Sequence, residues 1–187
     1  MEIGEISNEL LRKAAAGDLS AFEEIYRAAS GLVYNVALRV TCNPEDAEEA
    51  AQDVFLKVFE GLKSFKFKSS FKTWVYRITV NTALNFRKKS SSRSGRTAQY
   101  DDGIAEETTA SDDSVNKSID ADGDKEVVDR LLKKLTPEYR AAIVLRELQG
   151  LSYEEIAETL DININTVRTR LKRARETLMK EVTTNGL

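Results

Sequence analysis

From Leu19 to Val40 the apolar residues fall at Phe22, Ile25, Tyr26, Ala29, Val33, Val36, Ala37 and Val40. Steps of three and four residues put them on one stripe of an amphipathic helix. The same spacing returns at Ala47, Ala50 or Ala51, Val54, Phe55, Val58 and Leu62, then at Phe71, Trp74, Val75, Ile78, Thr82 and Phe86. Only residues 63–70 alternate, and no partner strand exists elsewhere in the chain, so this segment is read as a loop. The periodicity restricts the chain to an all-α fold. Helix starts are marked as well: Asn43 precedes Pro44, with Glu45 and Asp46 in the first turn, a capping residue, a permitted proline and acids at the positive helix end.

After residue 90 the pattern lapses. Residues 91–124 are dominated by Ser, Thr, Gly and Asp, and read as a flexible acidic linker. Periodicity resumes with Val127, Val128, Leu131, Leu132 and Leu135, breaks at Thr136-Pro137, and continues through Tyr139, Ala142, Ile143 and Leu148 to a stop at Gly150. The expectation is two small helical domains, 1–90 and 125–187, joined by that linker. Ser152 and Glu155 form a capping box; Ile156, Ala157 and Leu160 then face inward, and Asp161-Ile162-Asn163 makes a turn. A second helix behind it buries Val167, Leu171, Ala174 and Leu178. Helix, three-residue turn with a central apolar plug, and helix together predict a helix-turn-helix, with Asp161 taking the left-handed conformation at the turn.

Chemistry is narrowed by what is missing. Among 187 residues there is no histidine and one cysteine, Cys42. Histidine-based acid–base catalysis, Cys-His nucleophiles and Cys/His zinc sites are excluded, and no intrachain disulfide can form. No enzymatic activity, cofactor or metal is expected. No apolar run approaches the ~20 residues that span a bilayer, and the acidic start differs from a secretion signal. The chain is expected to be cytoplasmic, without membrane insertion.

The net charge of −3 conceals strong segregation. Residues 43–60 carry six acids against Lys57, a local −5; residues 61–100 carry ten Lys or Arg and no acid. Residues 101–124 hold nine acids against Lys117, and residues 163–180 hold six bases against Glu176. The two basic blocks differ in kind. On the second helix of the helix-turn-helix, Asn165, Arg168, Thr169, Lys172, Arg173 and Arg175 lie outward, suited to phosphates and base edges in a major groove. In the first block, Phe65, Phe67, Phe71, Trp74 and Tyr76 alternate with Lys66, Lys68, Lys72 and Arg77. Ring faces among cations suit unpaired nucleotides, and Asn81 is a candidate reader of base edges. Core packing competes for Phe71 and Trp74. The acidic helix is either a solvated face or a protein-docking surface; a metal site there lacks any accompanying phosphate loop or base.

In this order, the stretches DAEEAAQDVFLKVF (46–59), FKTWVYRITVNTA (71–83), LTPEYR (135–140) and LRELQGLSYEEIA (145–157) resemble the extracytoplasmic-function (ECF) sigma factors. These are promoter-specificity subunits of bacterial RNA polymerase. The resemblance implies that residues 46–59 dock on the clamp helices of the largest polymerase subunit, through Glu49, Gln52, Asp53 and Phe55. It implies that residues 63–89 read and open the −10 element, through Phe65, Lys66, Phe67, Ser69, Lys72, Trp74, Arg77 and Asn81. Arg146, Asn165, Arg168, Thr169, Lys172 and Arg173 would meet the −35 duplex. Val75 stands where housekeeping sigma factors carry a second tryptophan, which implies the stringent class that melts DNA less readily. An anti-sigma protein is implied as a further partner. The competing reading is a free-standing helix-turn-helix regulator, which would not need the basic-aromatic block.

The 34 residues of the expected linker reach at most ~110 Å when extended and roughly 30–35 Å as a coil. Two promoter elements lie about two helical turns apart. The linker would therefore be stretched beyond its coil average, following a basic channel of the polymerase.

Overall fold

The computed structural model describes residues 3–93 and 121–185; most of the expected linker, residues 94–120, lies outside them. Among the described residues every regular element is helical. A short 3-10 turn, Ile3–Glu5, leads into α1 (Asn8–Ala15), α2 (Leu19–Thr41), α3 (Pro44–Leu62) and α4 (Phe71–Arg93). The second set is α5 (Ala121–Lys133), α6 (Pro137–Ile143), α7 (Tyr153–Leu160) and α8 (Ile164–Asn185). Helix α4 extends three residues into the expected linker and α5 begins four residues before its end.

Local signals account for the boundaries. Asn43 Oδ1 accepts the amide of Asp46 at 2.7 Å, and Pro44 opens α3. Ser70 Oγ accepts the amide of Thr73 at 3.0 Å at the start of α4. The capping box forms in both directions: Ser152 Oγ accepts the Glu155 amide at 3.1 Å, and the Ser152 amide donates to Glu155 Oε2 at 2.7 Å. Asp161 takes the left-handed conformation at φ 54°, as the turn requires. Helix α1 has a cap in Ser7 but buries only Leu11 and Ala14, too few positions to make a periodic pattern.

One inward position is corrected. Helix α6 runs into a π-helical segment, Val144–Leu148, whose wider turn shifts the helical phase. Leu148 is thereby carried to the surface, while Val144 and Leu145 take the buried places.

Packing produces two apolar clusters. The first joins α1, α2, α3 and the start of α4, through Leu11, Ile25, Val33, Val54, Val58 and Val75. The second crosses between the halves: Val36, Val40, Tyr76, Val80 and Ala83 meet Leu135, Leu145, Ile156 and Val167. The two sets of helices therefore share a core, with α4 in the middle. It packs on α2 and α3 with one face and on α6 and α7 with another. Arg140, 3% exposed, pins this junction. Its guanidinium donates to the carbonyls of Leu132 at 2.7 Å, Leu135 at 2.8 Å and Val40 at 2.9 Å. The first and third lie at the ends of α5 and α2, where the helix dipoles present partial negative charge. Cys42 ends α2 in the left-handed conformation. Burial pushes its thiol pKa up, against the pull of Arg140, so it is a poor nucleophile at neutral pH.

Candidate nucleic-acid interface

Helix α8 presents its basic face ready-made. Val167, Leu171 and Ala174 are buried, which turns Asn165, Arg168, Thr169, Lys172 and Arg173 to solvent. Within that face, Arg168 Nη1 donates to Asn165 Oδ1 at 3.0 Å and the Thr169 hydroxyl to the Asn165 carbonyl at 2.9 Å. Arg173 Nη1 donates to the Tyr139 hydroxyl at 3.1 Å. Lys172 Nζ stands 3.9 Å from Glu176, an exposed i,i+4 pair of small energetic weight. Arg175 is tied to Glu147 at 2.7 Å, away from that role. Arg146 is likewise engaged: Nη1 donates to the Leu151 carbonyl at 2.7 Å, and its guanidinium lies 5.1 Å from the Tyr153 ring centre. Its observed partners brace the turn into α7.

The first basic block is built around an aromatic cluster. Phe65 touches Phe67 (centroids 4.8 Å), Trp74 (4.9 Å) and Phe71 (6.1 Å). Trp74 can lie there because position 61 is glycine: a Cβ on Gly61 would stand 2.8 Å from Trp74 Cζ2. Phe67, at the loop tip, is exposed and holds φ 55°, an uncommon conformation for an aromatic residue and a local strain. Arg12 of α1 lies 5.8 Å from its ring centre. Lys66 and Lys68 are exposed and Ser69 is half-buried. Lys72 Nζ sits 5.8 Å from the Tyr76 ring.

Between α3 and α4 runs an open cleft of about 320 Å³, lined by Lys57, Trp74, Arg77, Asn81, Thr82 and Asn85. Lys57, the lone base of the acidic helix, bridges the groove by donating to the Thr82 hydroxyl at 2.9 Å. An indole face, two cations and two amides thus converge on one depression, the donor set that a nucleotide's base and phosphate call for. Lys57, Thr82 and Asn85 were not among the sequence candidates; the i, i+4 series Arg77-Asn81-Asn85 on one helix is a signal that points to Asn85, whereas Lys57 and Thr82 join the cleft only through the crossing of α3 and α4.

Two expectations are corrected. Tyr76, grouped with aromatics for nucleotides, is 1% exposed. Its ring belongs to the second core, its hydroxyl donates to Gln149 Oε1 at 2.7 Å, and burial pushes its pKa up to about 12. Phe55 is buried at 9% exposure against Tyr26, with centroids 4.5 Å apart, so it supports the docking helix from beneath. The outer face of α3 instead exposes Glu49, Gln52, Leu56 and Phe59, with Asp53 half-buried. Phe22 of α2 packs edge-on to Phe59 at 4.9 Å, and Leu19 and Tyr26 extend the apolar patch. Among the described residues no group of His, Cys, Asp or Glu is placed to hold a metal. No helix among them is long and apolar enough to cross a membrane.

The descriptions of two protein families match along the chain: sigma-70 region 2 over residues 25–93 and sigma-70 region 4 over residues 125–178. The ECF RNA polymerase sigma-E factor of Escherichia coli is 34% identical over 180 residues, covering 92% of each protein. The RNA polymerase sigma-H factor of Pseudomonas aeruginosa is 30% identical over 182 residues, 94% of this chain and 93% of that one. In fold, the chain is similar to the sigma factor RpoE of Bartonella quintana, solved with the anti-sigma factor NepR: TM-score 0.65, 24% identity, 87% of this chain and 96% of that one. It is similar also to CnrH, solved with the cytosolic domain of CnrY: TM-score 0.67, 22% identity, 96% and 99% covered. The exposed basic face of α8 and the aromatic-basic block on α4 thus lie within the two matched regions, and the chain belongs to the ECF group of RNA polymerase sigma factors.

Proposed function

We propose that this sigma factor divides promoter recognition between its two halves, on the following residues. The outer face of α3, with Glu49, Gln52, Asp53, Leu56 and Phe59, docks on the clamp helices of the polymerase. An acidic rim around exposed apolar side chains is what a protein interface offers; Phe55 holds that face in place. Phe65, Lys66, Phe67 and Ser69 on the loop, with Lys72, Trp74, Arg77 and Asn81 on α4, take the non-template strand of the −10 element. Asn165, Arg168, Thr169, Lys172 and Arg173 read the −35 duplex, while Arg146 supports the turn before α7.

The cleft between α3 and α4 is the observation that carries this reading. A duplex-only regulator needs the α8 face but has no use for a groove where an indole, amides and cations converge. The chain acts in the cytoplasm, where polymerase and promoter are, and the sigma factors it resembles are not enzymes. As the RpoE structure pairs that sigma factor with NepR, an anti-sigma protein is the expected further partner. The test is capture of core polymerase by the full chain, followed by run-off transcription from promoters selected by the complex. Specific transcripts are expected; failure to bind core polymerase overturns the reading.

A further inference from the structure

The loop proposed to take the −10 strand is met at its tip by a helix outside the reading set. Phe67 is 42% exposed and holds φ at 55°, a conformation that an aromatic residue disfavours and that persists only where its neighbours impose it. Its ring meets Phe65 at 4.8 Å, and Phe65 meets Trp74 at 4.9 Å. Trp74 in turn lines the cleft with Arg77 and Asn81. At the other end of this row lies α1: the guanidinium carbon of Arg12 stands 5.8 Å from the Phe67 ring centre. A continuous row of Arg12, Phe67, Phe65 and Trp74 thus runs from α1 to the cleft.

Helix α1 is anchored for that task. Leu11 and Ala14 are buried in the cluster that also takes Leu62 and Phe71, and Phe65 and Trp74 pack against the same cluster. The inner face of α1 and the base of the loop therefore rest on one core. Leu11, at 1% exposure, fixes how the helix is turned, and that carries its neighbour Arg12 to the loop tip. Lys13, the next cation, is paired with Glu9 at 2.9 Å instead. A guanidinium over a ring face is attracted by the ring's quadrupole, and its flat shape covers a ring better than an ammonium does. At an exposed site the attraction amounts to about a two- to five-fold bias in population.

We propose that Arg12 of α1 is a positioning residue for −10 recognition: it holds Phe67 in its left-handed conformation at the loop tip and, through Phe65, keeps the face of Trp74 set for an unpaired base. The inference deepens the division of promoter recognition given above and rests on it. Arg12 acts through the ring and not on a phosphate, which has two consequences. Its loss lowers affinity for the unpaired strand without changing how many phosphates are neutralised, so the salt dependence keeps its slope. Its effect also disappears when position 67 carries no ring, because the two side chains then have nothing to share.

The test uses the full chain in complex with core polymerase. The probe is a labelled single strand carrying the non-template −10 sequence of a promoter selected by that complex, and a duplex carrying the −35 element is the control. Arg12→Ala is expected to weaken single-strand binding about two- to five-fold and to shift the emission of Trp74, the single tryptophan. It is expected to leave −35 duplex binding and the salt slope unchanged. Arg12→Lys, which keeps the cation, is expected to recover part of the loss. In a Phe67→Leu background, Arg12→Ala is expected to cost nothing further. An equal loss in both backgrounds overturns the proposal. So does a salt slope reduced by about 0.7, which marks a phosphate contact instead. Unchanged single-strand binding by Arg12→Ala overturns it too; the division of promoter recognition then still stands, because the wild-type complex holds the strand. A wild-type complex that holds the −10 strand no better than a scrambled one strikes that parent reading, and the role of Arg12 with it.

Discussion

The two helices proposed to read DNA differ in what the fold asks of their other sides. Helix α8 is amphipathic in the simple sense: Val167, Leu171 and Ala174 inward, Asn165, Arg168, Thr169 and Lys172 outward. Helix α4 has two buried faces, one on α2 and α3 and one on α6 and α7, leaving a narrow strip for Arg77, Asn81 and Asn85. The first offers its proposed duplex-reading face already formed, whereas the second is hemmed in by its own chain. A helix that supports two cores is rigid enough to hold the shape of the cleft beside it, but its exposed strip depends on where both neighbours sit.

The largest expected effect bears on the residue that joins the two. Arg140→Ala leaves the carbonyls of Val40, Leu132, Lys133 and Leu135 without their shared donor, and a loss on the order of 3 kcal/mol or more is expected in urea unfolding. Arg140→Lys should recover only part of it, because an ammonium lacks the planar fork. A loss below 1 kcal/mol would show that the junction is not pinned there.

Gly61→Ala sharpens the comparison on the α4 side. Helix propensity alone would stabilise the variant by up to about 1 kcal/mol. The contact with Trp74 should reverse that sign, at about 1–3 kcal/mol of overpacking. Trp74 is the single tryptophan, so its fluorescence reports the displacement directly. A variant with unchanged emission and raised stability would contradict the packing described.

The readers themselves should separate by assay. Arg168→Ala is expected to lose roughly 1–3 kcal/mol of discrimination at one −35 base pair. Asn81→Ala should impair open-complex formation more than duplex binding, measured by permanganate footprinting against band shift. Equal losses from both would erase the proposed contrast.

The smallest effect is a pH dependence. The Tyr76 phenol titrates at about 12 in the fold against an ordinary 10.0, so the unfolded chain releases this proton first. Its contribution is complete below pH 10 and declines as pH rises from 10 to 12. Tyr76→Phe should lack that component of the alkaline loss in thermal unfolding. Identical alkaline profiles for both would count against a buried phenol.

Much of the fold was legible because its signals are local. Pro44 behind Asn43, Thr136 before Pro137, and Ser152 with Glu155 mark helix starts through hydrogen bonds closed within four residues. The stripe Ala47, Val54, Val58, Leu62 is buried as its spacing implies. Spacing puts Phe55 on the buried stripe, where it lies, and only the resemblance makes it a contact; for Tyr76 the spacing misleads, because an aromatic side chain suits a partner surface and a core equally well. A second stripe on α4, Tyr76-Val80-Ala83 at steps of four and three, was present in the sequence. It was overlaid on the stripe through Phe71, Val75 and Ile78, so the helix read as having one buried face. The π-helical segment at Val144–Leu148 left no periodic signal, and Leu148 was assigned inward as a result.

Sequence alone determined the helical class, the caps, the helix-turn-helix with Asp161 at its turn, and the chemistry available without histidine. Each depends on neighbours a few residues apart, within reach of hydrogen bonds and side-chain contacts along one helix. Tertiary structure decided that the two halves share a core, that Lys57 and Asn85 join Trp74, Arg77 and Asn81 around one cleft, and that Arg140 reaches the carbonyl of Val40. Those arrangements depend on how separate helices cross, and many crossings satisfy the same apolar pattern.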